Sequence, residues 1–138
     1  MDDVVINKVQ SLQRCVLRAR EEYALAEAFS ADYSRQDAAV LNIIRACEQA
    51  IDLANHIVRV RKLGVPVQSR ESFTRLARAG LISVDLSQKL QGMVGFRNVA
   101  VHQYDKLNLE VVTAVLEHGL GDLVAFSKLA LSLEPPWP

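Results

Sequence analysis

Apolar side chains at the start of the chain are spaced alternately by four and three residues, and this spacing constrains the fold more than any other feature. The series is Val5, Val9, Leu12, Val16, Ala19, Tyr23 and Ala26. Steps of four and three place successive side chains on one stripe of an α-helix, the stripe that packs against a neighbouring helix at a shallow angle. The spacing therefore predicts a long first helix with one buried seam.

A second series with the same spacing predicts a second long helix. Ser34 and Asp37 resemble a capping box, so this helix should begin near Arg35. Its apolar positions are Val40, Ile44, Cys47, Ile51, Ala54 and Val58, with Leu41, Ile43, Leu53 and Ile57 on an adjoining face. So wide a stripe indicates contact on two sides. Gly64-Val65-Pro66 should end the helix, with glycine in the left-handed position, and the two long helices should form an antiparallel hairpin.

Three further helical patterns follow the hairpin. The first covers about Arg70 to Ala79 and stops at Gly80, the second begins at Ser83, and the third begins after Asn108 as its N-cap. Their inward residues are Phe73, Leu76 and Ala77, then Leu86, Leu90, Met93 and Val94, and finally Val112, Leu116, Leu123, Phe126, Ala130 and Leu133, with Gly119 and Gly121 positioned to bend the last helix. The sequence lacks sustained strand alternation, so the predicted fold is all-α, an up-and-down bundle of four to five helices.

The length and charge of the chain narrow its organisation. We expect one domain over residues 1–134, large enough for a hydrophobic core, followed by a Pro-rich tail over 135–138. Sixteen basic and sixteen acidic side chains give no net charge, so any contact with RNA must come from a local patch. The sequence has neither a secretory leader pattern nor a run of about 20 apolar residues, which predicts a cytoplasmic protein with no membrane partner.

The densest group of polar functions lies in the segment Phe96-Arg97-Asn98-Val99-Ala100-Val101-His102-Gln103-Tyr104. A guanidinium, an amide, an imidazole and a phenol occur together here, and such groups bind phosphate and transfer protons. Gly92 and Gly95 precede the segment, where glycine weakens a helix and usually has a reason such as the close approach of another backbone or a ligand. The segment is therefore a candidate site for chemistry on a phosphodiester.

The spacing of Arg97 and His102 leaves their arrangement open. At about 100° per residue, positions five apart lie about 140° apart around a regular helix, so they do not share a face. A helix that ends at the β-branched Val99 and Val101 would let the imidazole swing toward the guanidinium. Alternatively, a dimer would let each phosphate meet Arg97 of one protomer and His102 of the other. A third interpretation involves no chemistry, because basic side chains are favoured near a helix C-terminus.

These residues resemble the HEPN superfamily and, within it, the HepT-type toxins encoded beside a minimal nucleotidyltransferase antitoxin. The signature of that family is Arg, often followed by Asn, then His a few residues later and, in this branch, His-x-Tyr. Arg97-Asn98 and His102-Gln103-Tyr104 match it in full, and the resemblance extends to Ala50 through His56 and Gly92 through Phe96. It implies a HEPN-like homodimer that acts as a metal-independent endoribonuclease, with the two motifs lining one cleft.

The resemblance also implies a role for each residue. His102 would take the proton from a ribose 2′-hydroxyl as that oxygen attacks the adjacent phosphorus, leaving a 2′,3′-cyclic phosphate and a 5′-hydroxyl. Arg97 would stabilise the charge that develops on the phosphate, and Asn98 would position the phosphate or brace the imidazole. Tyr104 would be the residue to which an MntA-like nucleotidyltransferase antitoxin attaches adenylate from ATP, silencing the toxin by bulk and charge.

Other chemistries receive little support from the sequence. There is no H-E-x-x-H motif and no spacing that assembles a carboxylate pair, so neither a metal nor a cofactor is predicted, and Cys15 and Cys47 are expected to be small core residues. Glu48 and Asp52 form an i, i+4 pair of like charge that either faces a basic partner near the cleft or across the dimer, or lies on a solvated face. The main alternative function is a catalytically silent bundle that docks on a nucleotidyltransferase or presents a substrate to it.

Overall fold

The first helix, α1, covers Asp3–Leu25 in a computed structural model that describes residues 2–133. Asp2 caps this helix, since its carboxylate accepts hydrogen bonds from the backbone N–H groups of Val4 at 2.8 Å and Val5 at 3.4 Å. The predicted seam is buried at Val5, Val9, Leu12, Val16 and Ala19, Tyr23 is partly buried, and Ala26 lies beyond the helix end. The predicted first helix is therefore confirmed, and it ends one residue before the last member of its apolar series.

The second helix, α2, covers Tyr33–Val60 and lies antiparallel to α1. At one end His56 Nε2 lies 2.6 Å from Asp2 Oδ2, and at the other Arg35 Nη1 donates to Glu22 Oε2 at 2.8 Å. Because α2 also contacts three later helices, its buried residues face two sides, as the wide apolar stripe predicts. The predicted hairpin is confirmed, with α2 at the centre of the molecule.

The N-terminus of α2 differs from the prediction. Asp32, rather than Ser34, is the N-cap, and its carboxylate accepts a hydrogen bond from the Arg35 backbone N–H at 3.0 Å. An aspartate one position before the first helical residue satisfies the free N–H groups directly, so the predicted capping box is not used. Leu41, predicted to face inward, is 46% exposed.

The C-terminus of α2 also differs in detail. The helix ends before Gly64-Val65-Pro66 as predicted, but Lys62 takes the left-handed position, with φ of 55°. The Leu63 N–H donates to the Val58 carbonyl at 2.9 Å, which closes the helix end two residues before Gly64. The glycine, with φ of 110°, instead continues the loop. The position of the turn thus follows the main-chain hydrogen bonds rather than the nearest glycine.

The fourth helix carries the polar segment, and the third helix packs against it. Helix α3 covers Ser69–Arg78 and α4 covers Val84–His102, and both pack on α2 and on each other. As predicted, Gly80 takes the left-handed position after α3, with φ of 76°. Ser83 caps α4, since its hydroxyl accepts a hydrogen bond from the Leu86 N–H at 3.0 Å.

The last helical run has an irregular turn in its middle. It consists of α5 (Leu109–Ala114), a π-helical turn over Val115–Gly119 and α6 (Leu120–Ser132). Asn108 caps it as predicted, accepting a hydrogen bond from the Glu110 N–H at 2.7 Å. The two glycines predicted a bend in this helix, and the structure has a π turn that ends at the first of them.

The described residues form an all-α bundle of five helical rods, which confirms the predicted fold class. Its core includes Phe73 and Phe126, whose rings meet edge to face with centroids 5.5 Å apart. Within residues 2–133, no helix is both long and apolar enough to span a bilayer. The predicted tail over 135–138, and the last residue of the predicted domain, lie outside the described residues.

Candidate active site

The polar segment covers the last turns of α4 and the short 3-10 turn Tyr104–Lys106. Helix α4 stays regular through His102, and the Gln103 N–H still donates to the Val99 carbonyl at 2.8 Å. The arrangement in which the helix unwinds before His102 is therefore wrong, because a β-branched residue lowers helix propensity by only about 0.5 kcal/mol. On a regular helix Arg97 and His102 lie about 140° apart and about 7.5 Å apart along the axis.

Arg97 is held by partners on two other helices. Its Nη1 donates to Glu48 Oε1 on α2 at 2.6 Å, and its Nη2 donates to Ser69 Oγ, the first residue of α3, at 3.4 Å. The Arg97 side chain is 18% exposed, and within residues 2–133 its Nε is buried without a hydrogen-bond partner. The guanidinium is therefore fixed in orientation while it keeps N–H groups that could bind an anion.

Two carboxylates of α2, those of Glu48 and Asp52, each face a basic side chain of the same protein chain. Glu48 binds Arg97, and Asp52, one turn further along, binds Lys8 Nζ at 3.1 Å. The sequence left open whether Glu48 and Asp52 face a basic partner or lie on a solvated face. The structure shows a basic partner for each of them, and the partner of Glu48 lies at the candidate site. The contact between Glu48 and Arg97 could not be predicted from the sequence, because residues 49 positions apart carry no spacing signal.

Asn98 and His102 share the exposed face at the end of α4. Residues four apart lie one above the other on a helix, and both side chains are exposed. Val99 and Val101, 36% and 48% exposed, flank them with apolar surface. A single chain therefore brings Asn98 and His102 together, whereas Arg97 points to another side of the helix.

The two glycines before the motif have different surroundings. A Cβ atom on Gly95 would lie 2.6 Å from Arg70 Nη2, whereas a Cβ on Gly92 would have no neighbour within 4 Å. A close neighbour is therefore present at Gly95 alone, and it is a side chain, whereas the prediction named another backbone or a ligand. Arg70 therefore places a second guanidinium against α4 at Gly95, two turns before His102.

Tyr104 lies beside α2 at the edge of a cavity. Its hydroxyl donates a hydrogen bond to the Asp37 carboxylate, and the side chain is 46% exposed. Burial of the hydroxyl, then the hydrogen bond and negative charge of Asp37, raise the pKa of Tyr104 to about 12. The cavity beside the pair has a volume of about 260 Å³ and is lined by Tyr33, Gln36, Asp37, Val40, Tyr104, Leu107, Leu109 and Val112. The sequence pattern predicts a capping box for Asp37 and carries no signal for this contact with Tyr104, which lies 67 positions away.

The cysteines behave as core residues. Cys47 is buried beneath the motif helix, where its thiol donates to the Met93 carbonyl at 3.7 Å, and burial raises its pKa to about 12. Cys15 is partly buried on α1. Among the described residues, no three His, Cys, Asp or Glu side chains cluster as a metal site requires.

These features define a class of protein, the HEPN-like helical bundles that carry an Arg-Asn and His-x-Tyr motif at the end of one exposed helix. The family model described as ribonuclease HepT-like matches residues 6–130. The chain is 46% identical over 126 residues to the mRNA nuclease HepT of Shewanella oneidensis, an alignment that covers 91% of this chain and 95% of that protein. The protein therefore belongs to the HepT-like ribonuclease family.

Solved structures agree with this assignment. The tri-AMPylated Shewanella oneidensis HEPN toxin in complex with MNT antitoxin has a TM-score of 0.91 and 44% identity, covering 96% of this chain and 100% of that chain. A toxin–antitoxin crystal structure with AMP-PNP has a TM-score of 0.89 and 44% identity, with 94% and 99% covered. The predicted family, fold and ribonuclease class are confirmed.

Proposed function

We propose that the protein is the toxin of a toxin–antitoxin pair, an endoribonuclease that cleaves RNA in the cytoplasm without a metal ion. The observation that carries the proposal is the arrangement at the end of α4. Glu48 and Ser69 anchor Arg97 there, and the His102 side chain is exposed. The names of the relatives support it, since one is an mRNA nuclease and the other a toxin bound to an antitoxin.

The proposed reaction needs a base, an acid and a cation, and the motif provides all three. His102 accepts the proton of a ribose 2′-hydroxyl as that oxygen bonds to the adjacent phosphorus. The bond from phosphorus to the 5′-oxygen then breaks, and the imidazolium of a second copy of His102 protonates the leaving oxygen. Arg97 binds the phosphate oxygens as negative charge develops, and Asn98, one turn from His102, positions the phosphate or the imidazole. The products are a 2′,3′-cyclic phosphate and a 5′-hydroxyl.

We propose that a homodimer completes this site. A regular α4 separates Arg97 from His102 by about 140°, so one chain does not direct both side chains at one phosphate. The exposed Val99 and Val101 give the end of α4 an apolar surface that can pair with its own copy. In a symmetric pair, Arg97 of each protomer would face His102 of the other across a shared cleft.

We further propose that adenylylation of Tyr104 switches the nuclease off. The phenol lies two residues after His102 in an exposed turn, accessible to a partner nucleotidyltransferase that carries ATP. An attached adenylate brings bulk and a negatively charged phosphate, and both would exclude an RNA backbone from the cleft. The AMPylated state of a toxin with 44% identity supports this switch.

Expression of the chain alone tests the nuclease directly. Growth should arrest, and His102→Ala or Arg97→Ala should relieve the arrest, whereas His118→Ala, which removes an exposed histidine from the π turn, should not. Purified protein should leave cyclic phosphate and 5′-hydroxyl ends on RNA with or without a chelator. If both motif variants stay as toxic as the parent, the nuclease is excluded and the silent docking subunit becomes the better explanation.

Co-expression with the antitoxin tests the switch. Mass spectrometry should find adenylate on Tyr104, and Tyr104→Phe should remain toxic in the presence of the antitoxin. Unmodified Tyr104 in a protein that is nonetheless silenced would show that inhibition comes from complex formation.

A further inference from the structure

The carboxylate that contacts the Tyr104 hydroxyl comes from a distant part of the chain. Asp37 lies on α2, 67 positions earlier in the sequence, and its Oδ1 accepts the phenolic hydrogen bond. We propose that Asp37 is the general base for the adenylylation of Tyr104, so that the toxin supplies a catalytic residue for its own inactivation. This inference rests on the proposed switch at Tyr104.

A base is needed because the phenol holds its proton firmly. With a pKa of about 12, only about one Tyr104 side chain in 10⁵ is ionised at pH 7. The reacting species is therefore the neutral hydroxyl, which must lose its proton as it attacks. A general base has to lie within hydrogen-bond reach of that proton before the reaction starts, and Asp37 already does.

The proposed step balances with ATP as the co-reactant. The Tyr104 oxygen forms a bond to the α-phosphorus while the bond from that phosphorus to the oxygen bridging to the β-phosphate breaks, and pyrophosphate leaves. The phenolic proton moves to the Asp37 carboxylate, which is exposed and can release it to water. Protonation also removes the negative charge of Asp37 as the anionic phosphate arrives, which lowers their mutual repulsion.

The surroundings of the pair favour attack from a bound nucleotide. Asp37 belongs to the central helix, so the position of the base is fixed by the packing of α2, while Tyr104 lies in a surface turn. The cavity of about 260 Å³ that both residues line leaves open space beside the hydroxyl. In the opposite role, the hydrogen bond to Asp37 would keep the Tyr104 hydroxyl from reacting with the nucleotide. Removal of the Asp37 carboxylate would then accelerate the modification.

The test measures the initial rate at which the cognate nucleotidyltransferase transfers α-phosphate-labelled AMP to the purified full-length chain. Asp37→Asn keeps the size of the side chain but removes its basicity, and the rate should fall by about 100-fold or more. Asp37→Glu should restore part of the rate. Asp105→Asn is the matched control, because it removes an exposed carboxylate next to Tyr104 in the sequence and should keep the wild-type rate.

The pH profile separates a base from a structural role. The wild-type rate should be nearly constant from about pH 7 to 9, whereas that of Asp37→Asn should rise by about tenfold per pH unit as hydroxide ionises the phenol. Melting curves and co-elution with the transferase check that the variant folds and binds. Labelling of Asp37→Asn at or above the wild-type rate would show that Asp37 is not the general base. Equal labelling of Tyr104→Phe and wild type would instead overturn the proposed switch itself, and the base with it.

Discussion

Replacing Glu48 by Gln should slow RNA cleavage while the protein stays folded. The Glu48 carboxylate holds Arg97 Nη1 at 2.6 Å, and the second contact of the guanidinium, to Ser69 at 3.4 Å, is long. Glutamine keeps the shape and one acceptor oxygen but loses the charge that strengthens the hydrogen bond. Arg97 should then adopt other rotamers and meet the scissile phosphate less often.

The expected size of this effect follows from the exposure of the pair. A hydrogen bond to a charged group contributes about 1.5–3 kcal/mol. The Glu48 side chain is 42% exposed, so screening by solvent lowers this to about 1 kcal/mol. At about 1.4 kcal/mol for each tenfold change in rate, kcat/KM should fall by about fivefold. The melting temperature should fall by only about 4 °C.

Initial rates of cleavage of a short RNA would measure this effect. Asp52→Asn is the matched control, because it removes a carboxylate one turn further along α2 that binds Lys8 instead of Arg97. If Glu48 acts through Arg97, adding Glu48→Gln to Arg97→Ala should slow the residual activity no further. Equal rates of RNA cleavage by Glu48→Gln and Asp52→Asn would refute this reasoning. A further loss of cleavage when Glu48→Gln is added to Arg97→Ala would also refute it.

Three further predictions concern the bundle. Phe126→Ala should lower the free energy of unfolding by about 3–5 kcal/mol, measured by urea denaturation, because the ring is fully buried. Asp2→Asn keeps a good N-cap but loses the contact between the ionised Asp2 carboxylate and His56. The hydrogen bond with His56 is the largest of several causes that lower the pKa of Asp2. The stability deficit of this variant should be full at pH 7, should begin to shrink as the pH falls toward about 4, and should disappear only below the lowered pKa of the Asp2 carboxyl in the folded wild type. Gly121→Ala should raise the melting temperature through a gain of about 0.5–1 kcal/mol, since a Cβ there meets nothing within 4 Å. Gly119→Ala should gain less, because its Cβ would lie 2.8 Å from a methionine sulfur.

The helices and the motif could be predicted from the sequence because their signals are local. The seam of α1, the caps at Ser83 and Asn108 and the stop at Gly80 each depend on residues within a few positions of one another. The capping box shows the limit of such patterns. Ser34 and Asp37 have the right spacing, but Asp32 lies closer to the free N–H groups and caps α2 instead.

The contacts that position the candidate site could not be predicted in this way. Glu48 reaches Arg97 across 49 positions and Asp37 reaches Tyr104 across 67, so both depend on how α4 and the turn after it pack on α2. Rotation of α4 by one residue would move Arg97 by about 100° and break its contact with Glu48. The sequence therefore identifies the reactive groups, whereas the packing of the helices determines which carboxylate each one meets.

Mixed dimers of two inactive variants test the central claim, a nuclease site shared between protomers. A dimer of one Arg97→Ala chain and one His102→Ala chain keeps one site in which intact Arg97 and intact His102 come from different protomers. RNA cleavage by the purified mixed dimer should therefore exceed that of a dimer of one wild-type chain and one Arg97→Ala/His102→Ala chain, which also has one Arg97 and one His102 but carries both on the same protomer. Both mixed dimers lack the second His102 that protonates the leaving oxygen, so both should cleave RNA more slowly than the wild type. Equal or lower cleavage by the dimer that divides Arg97 and His102 between its chains would contradict the shared site, because it would mean that the two residues act from the same chain.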